Sequence, residues 1–230
     1  MRIAILIDGG FYRRRADKLF GKKNSSERIE ELLNYCKKHI SSDYDDFNDE
    51  RLYRIFYYDC PPMNKKVYHP LLKKDVDFSE TDLYVWMSEF IEHLKKQRKV
   101  AVRLGKLADT QAHYSLRPKT IRNLCDGTKI FSELTEKDFS IDVDQKGVDM
   151  KIGIDIASLA YKKQVDRIVL ISGDSDFVPA AKLARREGID FILDSMCSHV
   201  KPELHEHIDG LITFCEDPSK KDIITKKITC

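Results

Sequence analysis

Short apolar runs alternate along the chain with segments of helical periodicity. The runs lie at residues 2–7, 52–59, 100–105, 165–171 and 189–193. They are mostly apolar from end to end, which is typical of strands that are buried on both faces. Strands of this kind, joined by helices, indicate an α/β protein with a mainly parallel central sheet in a three-layer arrangement.

Apolar residues at helical spacing predict helices between these strands. The predicted helices cover residues 26–40, 80–97, 147–161 and 177–187, with a short helix at 202–207 and a last strand at 210–214. Asn24 with Glu27 predicts a capping box for the first helix, and Ser79 with Asp82 predicts a cap for the second.

The chain is long enough for one α/β domain with elaborations, or at most for two small domains. Residues 106–146 show no clear period and are expected to be loops with short elements. We therefore predict a single domain over residues 1–216 with this less regular insertion, followed by a polar tail at 217–230.

Composition excludes some classes of protein. The 230 residues include 40 basic and 38 acidic side chains, so any binding of nucleic acid has to come from a local patch. The six cysteines form no C-x-x-C pair, and no apolar run approaches the length of a membrane span. These features predict reduced thiols, no membrane association and a soluble cytoplasmic protein, and they leave a homo-oligomer open.

Carboxylates follow two of the predicted strands. Asp8 ends the first strand, Asp174 and Asp176 follow the strand at 165–171, and Asp149 falls in the first turn of a helix. If the two strands are neighbours, all four carboxylates could converge at the carboxyl edge of the sheet, where such folds bind ligands. The alternative is structural, because aspartate also forms turns and helix starts.

Four converging carboxylates cannot all remain ionised without a cation, because like charges raise one another's pKa. An oxygen-only set with no clustered Cys or His favours Mg²⁺ or Mn²⁺ over zinc. The histidines His199, His205 and His207 have no zinc-site spacing and are expected at the surface. A carboxylate-bound Mg²⁺ suits cleavage of a phosphodiester bond.

The chain resembles the NYN domains, in the LabA-like branch of the PIN-like nuclease superfamily. The resemblance lies in "ILIDGG" at 5–10, "FYYDCPP" at 56–62, "VRLGKL" at 102–107, "KGVDMKIGIDIASLA" at 146–160, "ISGDSDFVPAAKLARREG" at 171–188 and "KPELHEHIDGL" at 201–211. It implies a Rossmann-like PIN fold and a metal-dependent ribonuclease that acts on single-stranded or structured RNA.

The resemblance also implies roles for individual residues. Asp8, Asp149, Asp174 and Asp176 match the acidic positions that hold Mg²⁺ or Mn²⁺ and serve in catalysis. One departure is Phe11, which stands where many relatives have asparagine. This residue favours an alternative function, a non-catalytic RNA-binding or regulatory module that retains the acidic pocket.

Several cationic or polar residues are candidates for contact with RNA. They are Arg13, Arg14, Arg15, Arg103, Lys146 and Ser172. Asp59 shares the same edge and is a further candidate, whereas Asp155 should point away from Asp149 and have a structural role. Two other enzyme classes use an Asp-x-Asp pair, the Toprim phosphoryl-transfer fold and glycosyltransferases, but the chain lacks the first glutamate of the former and a separate nucleotide-sugar domain for the latter.

Overall fold

The computed structural model of the protein describes residues 1–40 and 51–215. In chain order its elements are β1 (Ile3–Asp8), α1 (Gly9–Phe20), α2 (Ser25–Lys38), β2 (Leu52–Asp59), β3 (Lys66–His69), β4 (Lys74–Asp77), α3 (Asp82–Lys95), β5 (Val100–Leu104), β6 (Lys106–Leu107), β7 (His113–Leu116), α4 (Pro118–Cys125), β8 (Phe139–Asp142), β9 (Gln145–Lys146), α5 (Val148–Tyr161), β10 (Arg167–Ile171), α6 (Val178–Arg186), β11 (Asp190–Asp194), α7 (Pro202–His205) and β12 (Gly210–Leu211). The tail predicted at 217–230 lies outside the described residues.

Six parallel strands form the central sheet, in the order β12-β11-β10-β1-β2-β5. The chain builds outward from β1 to β2 and β5, and then returns to place β10 on the other side of β1. The strand order therefore reverses at β1, which is where open α/β sheets bind ligands beyond the carboxyl ends of their strands. The predicted α/β fold is confirmed, and its central sheet is parallel throughout.

The two central strands carry the core of the sheet. Residues Ile3–Ile7 of β1 and Ile168–Ile171 of β10 are at most 1% exposed. Helices flank the sheet, so the side chains that point to either face of these strands are removed from water. This is the physical reason for their continuous apolar sequence.

Helix α1 is not predicted by the sequence pattern. Its start is capped by Asp8, whose Oδ1 accepts a hydrogen bond from the Phe11 N–H at 3.0 Å. Only Gly9, Tyr12 and Ala16 of this helix are buried. The segment contains two glycines and three consecutive arginines, so few apolar residues recur at helical spacing. A helix with such a narrow buried face is therefore not recognised from its sequence.

The starts of two helices test the predicted caps. The capping box of α2 is confirmed: Asn24 Oδ1 accepts from the Glu27 N–H, and Glu27 Oε2 accepts from the Asn24 N–H. The predicted Ser79 cap of α3 is wrong, because Thr81 Oγ1 accepts the Tyr84 N–H at 3.2 Å in its place.

Two further details of the predicted elements need correction. The helical spacing of Leu83, Met87 and Phe90 predicts one buried stripe on α3, but Leu83 is 64% exposed in the structure. The last strand, expected over 210–214, is limited to Gly210–Leu211.

The chain divides into two compact units, and the second consists of residues 60–88 and 106–146. Its strands form three antiparallel pairs, β3 with β4, β6 with β9, and β7 with β8. The buried His69 ring lies 4.2 Å from the ring of Tyr114 and 5.1 Å from that of Phe139, centroid to centroid. The irregular insertion expected from the sequence belongs to this unit, and the single-domain organisation stays a prediction.

No helix within residues 1–40 and 51–215 is long and apolar enough to cross a lipid bilayer.

Candidate active site

The carboxyl ends of β1 and β10 bring two acidic segments to the point where strand order reverses. Ile7 of β1 pairs with Ile171 of β10, so the residues that follow each strand leave the sheet side by side. Asp8 is the last residue of β1, and the loop after β10 leads through Ser172 and Gly173 to Asp174. The topology therefore places Asp8 beside the acidic loop, as the sequence predicts.

Ser172 links the two segments. This serine is fully buried, and its Oγ donates to Asp8 Oδ2 at 3.4 Å while accepting the Asp174 N–H at 3.3 Å. With Phe11 N–H on the other oxygen, both oxygens of Asp8 accept hydrogen bonds within the protein. These bonds restrict the rotation of the carboxylate, which favours a supporting role for Ser172 over direct contact with substrate.

The other carboxylates are also positioned by local structure. Asp174 caps a short 3₁₀ helix over Ser175–Phe177, and its Oδ1 accepts the Asp176 N–H at 3.0 Å. Asp149 stands in the first turn of α5, which begins after Gly147 at a φ of 80°. Glycine adopts this left-handed conformation with little strain, which allows the chain to turn sharply into the helix at Gly147.

Charge repulsion connects Asp149 with the other three carboxylates. Burial raises the pKa of Asp8, and the negative charges of Asp149 and Asp59 raise it further. The hydrogen bond from the Phe11 N–H and the positive charge of Arg14 lower the same pKa by less than the total rise. Burial also raises the pKa of Asp149, followed by the charges of Asp174 and Asp176. The four predicted residues thus share one electrostatic environment.

The donor chemistry of this group fits a hard divalent cation. All four side chains are carboxylates. Burial, together with the charges of neighbouring carboxylates, raises the pKa values of Asp8 and Asp149, and a bound cation would stabilise their ionised forms. Over residues 1–40 and 51–215, no three Asp, Glu, His or Cys side chains are gathered closely enough to hold a metal ion. The carboxylates therefore suit such an ion in their chemistry, but their side chains are not gathered into a set of three ligands among the described residues.

The raised pKa of Asp8 predicts a pH-dependent stability. Because its folded-state pKa lies above the unfolded value, its contribution is fully present below the unfolded pKa and is lost as the pH rises through the folded pKa. We expect Asp8→Asn, which keeps an oxygen to cap α1, to reduce this loss when the free energy of unfolding is measured in urea with EDTA. Asp126→Asn, in the second unit, should leave the loss unchanged, and parallel curves for wild type and Asp8→Asn would contradict the assignment.

The three consecutive arginines of α1 have different surroundings. Arg13 Nε and Nη2 each donate to a carboxylate oxygen of Asp59 at 3.0 Å, and Arg15 donates through Nε and Nη2 to the Met196 carbonyl oxygen at 3.0 and 2.6 Å. Arg14 is exposed and lowers the pKa of Asp8 through its charge. Of the three predicted RNA contacts, Arg14 is the one whose side chain faces solvent beside the acidic group.

Arg103 and Asp155 form a separate ion pair. Arg103 Nε lies 3.4 Å from Asp155 Oδ2, which also accepts a hydrogen bond from the Tyr58 hydroxyl at 2.8 Å. The Arg103 guanidinium lies 5.7 Å from the centre of the Phe56 ring. The expected structural role of Asp155 agrees with these contacts, and Arg103 is engaged in them. Lys146, the other predicted RNA contact, is exposed in the second unit.

Phe11 lies directly against the acidic loop. A Cβ added at Gly173 would come within 2.7 Å of Phe11 Cε2, so only glycine permits this approach. The half-buried ring therefore covers the backbone between Ser172 and Asp174.

The sequence and the fold show similarities to known proteins. The NYN domain model matches residues 62–213, a segment that includes Asp149, Asp174 and Asp176 and begins after Asp8. A crystal structure of a protein of unknown function from Vibrio parahaemolyticus is similar over 92% of this chain and 91% of that chain, at 14% identity and a TM-score of 0.47. No curated protein matches the sequence significantly. NYN domains are nuclease-like domains related to PIN domains, and they are generally ribonucleases. Because the NYN family model matches well over half of the sequence, the chain belongs to the NYN domain family.

Proposed function

We propose that this NYN protein is a divalent-metal-dependent ribonuclease of the LabA-like branch, which hydrolyses phosphodiester bonds in single-stranded or structured RNA. The observation that carries the proposal is the shared charge environment of Asp149 with Asp8, Asp174 and Asp176 at the reversal point of the sheet. A cytoplasmic location and a single domain over residues 1–216 belong to the same proposal.

The four aspartates would hold Mg²⁺ or Mn²⁺. When bound, such an ion supplies an activated water and neutralises charge on the phosphate. Asp8 is oriented for this task by Ser172 Oγ and the Phe11 N–H, and Asp174 is oriented by the hydrogen bond from the Asp176 N–H. Fixed carboxylates need less reorganisation when charge develops in the transition state.

Two side chains of α1 fit an RNA strand at this edge. Arg14 is exposed beside Asp8 and can pair with a phosphate, and the Phe11 ring beside Gly173 offers an aromatic surface for a base. Arg13 and Arg15 contribute indirectly, since their bonds to Asp59 and Met196 hold α1 in place. Lys146 remains a candidate phosphate contact, and Arg103 could serve only after leaving Asp155.

A non-catalytic RNA-binding or regulatory module is the second candidate. Two features favour it. The described carboxylates form no closed ligand shell, and Phe11 brings an apolar ring to the position where the resemblance to NYN domains leads us to expect asparagine. Such a module would bind RNA through Arg14 and Phe11 and leave the strand intact.

A cleavage assay separates the two candidates. We expect the wild type to cut labelled single-stranded and hairpin RNAs with Mn²⁺ or Mg²⁺ and to stop with EDTA. Asp174→Asn should lose at least about 100-fold in rate, because several kcal/mol of charge stabilisation depend on the metal site. The asparagine keeps an oxygen for the Asp176 N–H, so the fold should persist.

Asp190→Asn provides the control, because it removes a carboxylate at the amino end of β11 in the same sheet. This variant should cut RNA at the wild-type rate. A folded wild type that binds RNA without cutting it would reject the ribonuclease and support the regulatory module.

A further inference from the structure

Two cysteines distant in sequence meet near the end of the described chain. Cys197 lies three residues after β11 and Cys215 lies four residues after β12, and both are free thiols. Their Sγ atoms are 3.0 Å apart, and Cys197 Sγ also lies 3.0 Å from the Cys215 carbonyl oxygen. We propose that Cys197 and Cys215 form a redox modification site, which a low-molecular-weight disulfide converts into an intramolecular disulfide.

The geometry requires little movement. A disulfide joins sulfur atoms at about 2.05 Å, so the two Sγ atoms need to approach by only about 1 Å. Thr213 Oγ1 lies 3.1 Å from Cys215 Sγ, and the same threonine oxygen lies 3.3 Å from the Tyr35 hydroxyl oxygen. These contacts hold Cys215 facing its partner.

Exposure determines the order of the reaction. Cys197 is half-buried, whereas Cys215 is 8% exposed, so the external reagent reaches Cys197 first. The Cys197 thiolate attacks one sulfur of the small disulfide, forms a mixed disulfide and releases one thiolate. Cys215 then loses its proton and attacks Cys197 Sγ, which releases the second thiolate. Two protein thiols are oxidised, one small disulfide is reduced, and the two protons leave on the two small thiols.

The second step should be the slower one. Burial and the neighbouring Cys197 raise the pKa of Cys215 to about 12, which keeps the fraction of thiolate low near neutral pH. The short distance between the two Sγ atoms compensates for this, because the attack is intramolecular and the reacting atoms are already neighbours.

The disulfide would fasten a loop that supports α1. Met196 and Cys197 both have positive φ values, 45° and 59°, which are costly for residues with a side chain. The Met196 carbonyl oxygen receives two hydrogen bonds from Arg15 of α1. Oxidation therefore ties the segment after β12 to the loop that anchors this helix.

The test uses the full chain and oxidised glutathione. We expect peptide mapping after thiol trapping to identify a Cys197–Cys215 cross-link, and Tm to rise by about 6–12 °C because a closed loop of this length constrains the unfolded chain. Dithiothreitol should reverse both effects. The Cys125→Ser variant lacks an exposed thiol but should still form the cross-link and show the rise in Tm. The Cys197→Ser and Cys215→Ser variants should show neither effect.

Three results would overturn the proposal. They are a mixed disulfide on Cys197 that persists without a cross-link, a cross-link to another cysteine in place of this one, and a cross-linked protein with an unchanged Tm. Because the readouts are mass and Tm, this test is independent of RNA cleavage.

Discussion

Replacing Asp59 with alanine is expected to lower the free energy of unfolding by about 3–5 kcal/mol. The Asp59 side chain is 0% exposed and accepts two hydrogen bonds from Arg13, whose side chain is only 20% exposed. The Tyr57 hydroxyl donates to the same carboxylate at 3.1 Å. Alanine would therefore leave a largely buried guanidinium and a buried hydroxyl without this acceptor.

Urea denaturation of the single and double variants checks this expectation. The double variant Arg13→Met with Asp59→Leu removes both charges and fills a similar volume, so it should recover most of the lost stability. A loss below about 1 kcal/mol for Asp59→Ala would show that Arg13 reaches water freely, since exposed pairs contribute about that much or less. Arg13 would then return to the candidate RNA contacts.

Replacing Asp194 with alanine is expected to have an effect of similar size, about 3–5 kcal/mol. This carboxylate is fully buried at the end of β11 and accepts hydrogen bonds from the Tyr35 hydroxyl at 2.6 Å and the Met196 N–H at 2.7 Å. His39 Nε2 lies 2.8 Å from the same oxygen that Tyr35 contacts. Three buried polar groups would lose their acceptor together.

Asp190→Ala is the matched control for this second change. Asp190 begins the same strand and pairs with Arg167, but both side chains are about one-third exposed, so the loss should stay within about 1 kcal/mol. Equal losses for the two variants, measured by urea denaturation, would show that the Asp194 network is accessible to water and contributes no more than a surface pair.

These buried pairs change the meaning of the basic run "FYRRR". In sequence, Arg13, Arg14 and Arg15 are equivalent candidates for RNA contact. In the structure, Arg13 is held by Asp59 and Arg15 by Met196, so two of the three arginines attach α1 to β2 and to the loop after β11. Gly9 permits this packing, because a Cβ there would lie 2.5 Å from Tyr57 Cζ.

Much of the fold follows from local sequence. The strand predicted at 52–59 has those bounds in the structure, and the Asn24–Glu27 capping box forms as expected, because burial on both faces and helix capping depend on neighbouring residues. Helix α1 escapes prediction because its buried face comprises only Gly9, Tyr12 and Ala16. Ser79 fails as a cap because Thr81, one residue before the helix, has the nearer hydroxyl.

The sequence by itself determined that the chain is an α/β protein and that Asp8, Asp174 and Asp176 follow apolar strands. Both properties depend only on the periodicity of apolar residues and on the order of residues along the chain. Only the tertiary structure decided that β1 and β10 are neighbours, that Asp59 and Asp194 are buried with partners far along the chain, and that Cys197 meets Cys215. The order of strands in the sheet and the contacts between distant residues depend on the path of the whole chain, and local sequence preferences do not specify that path.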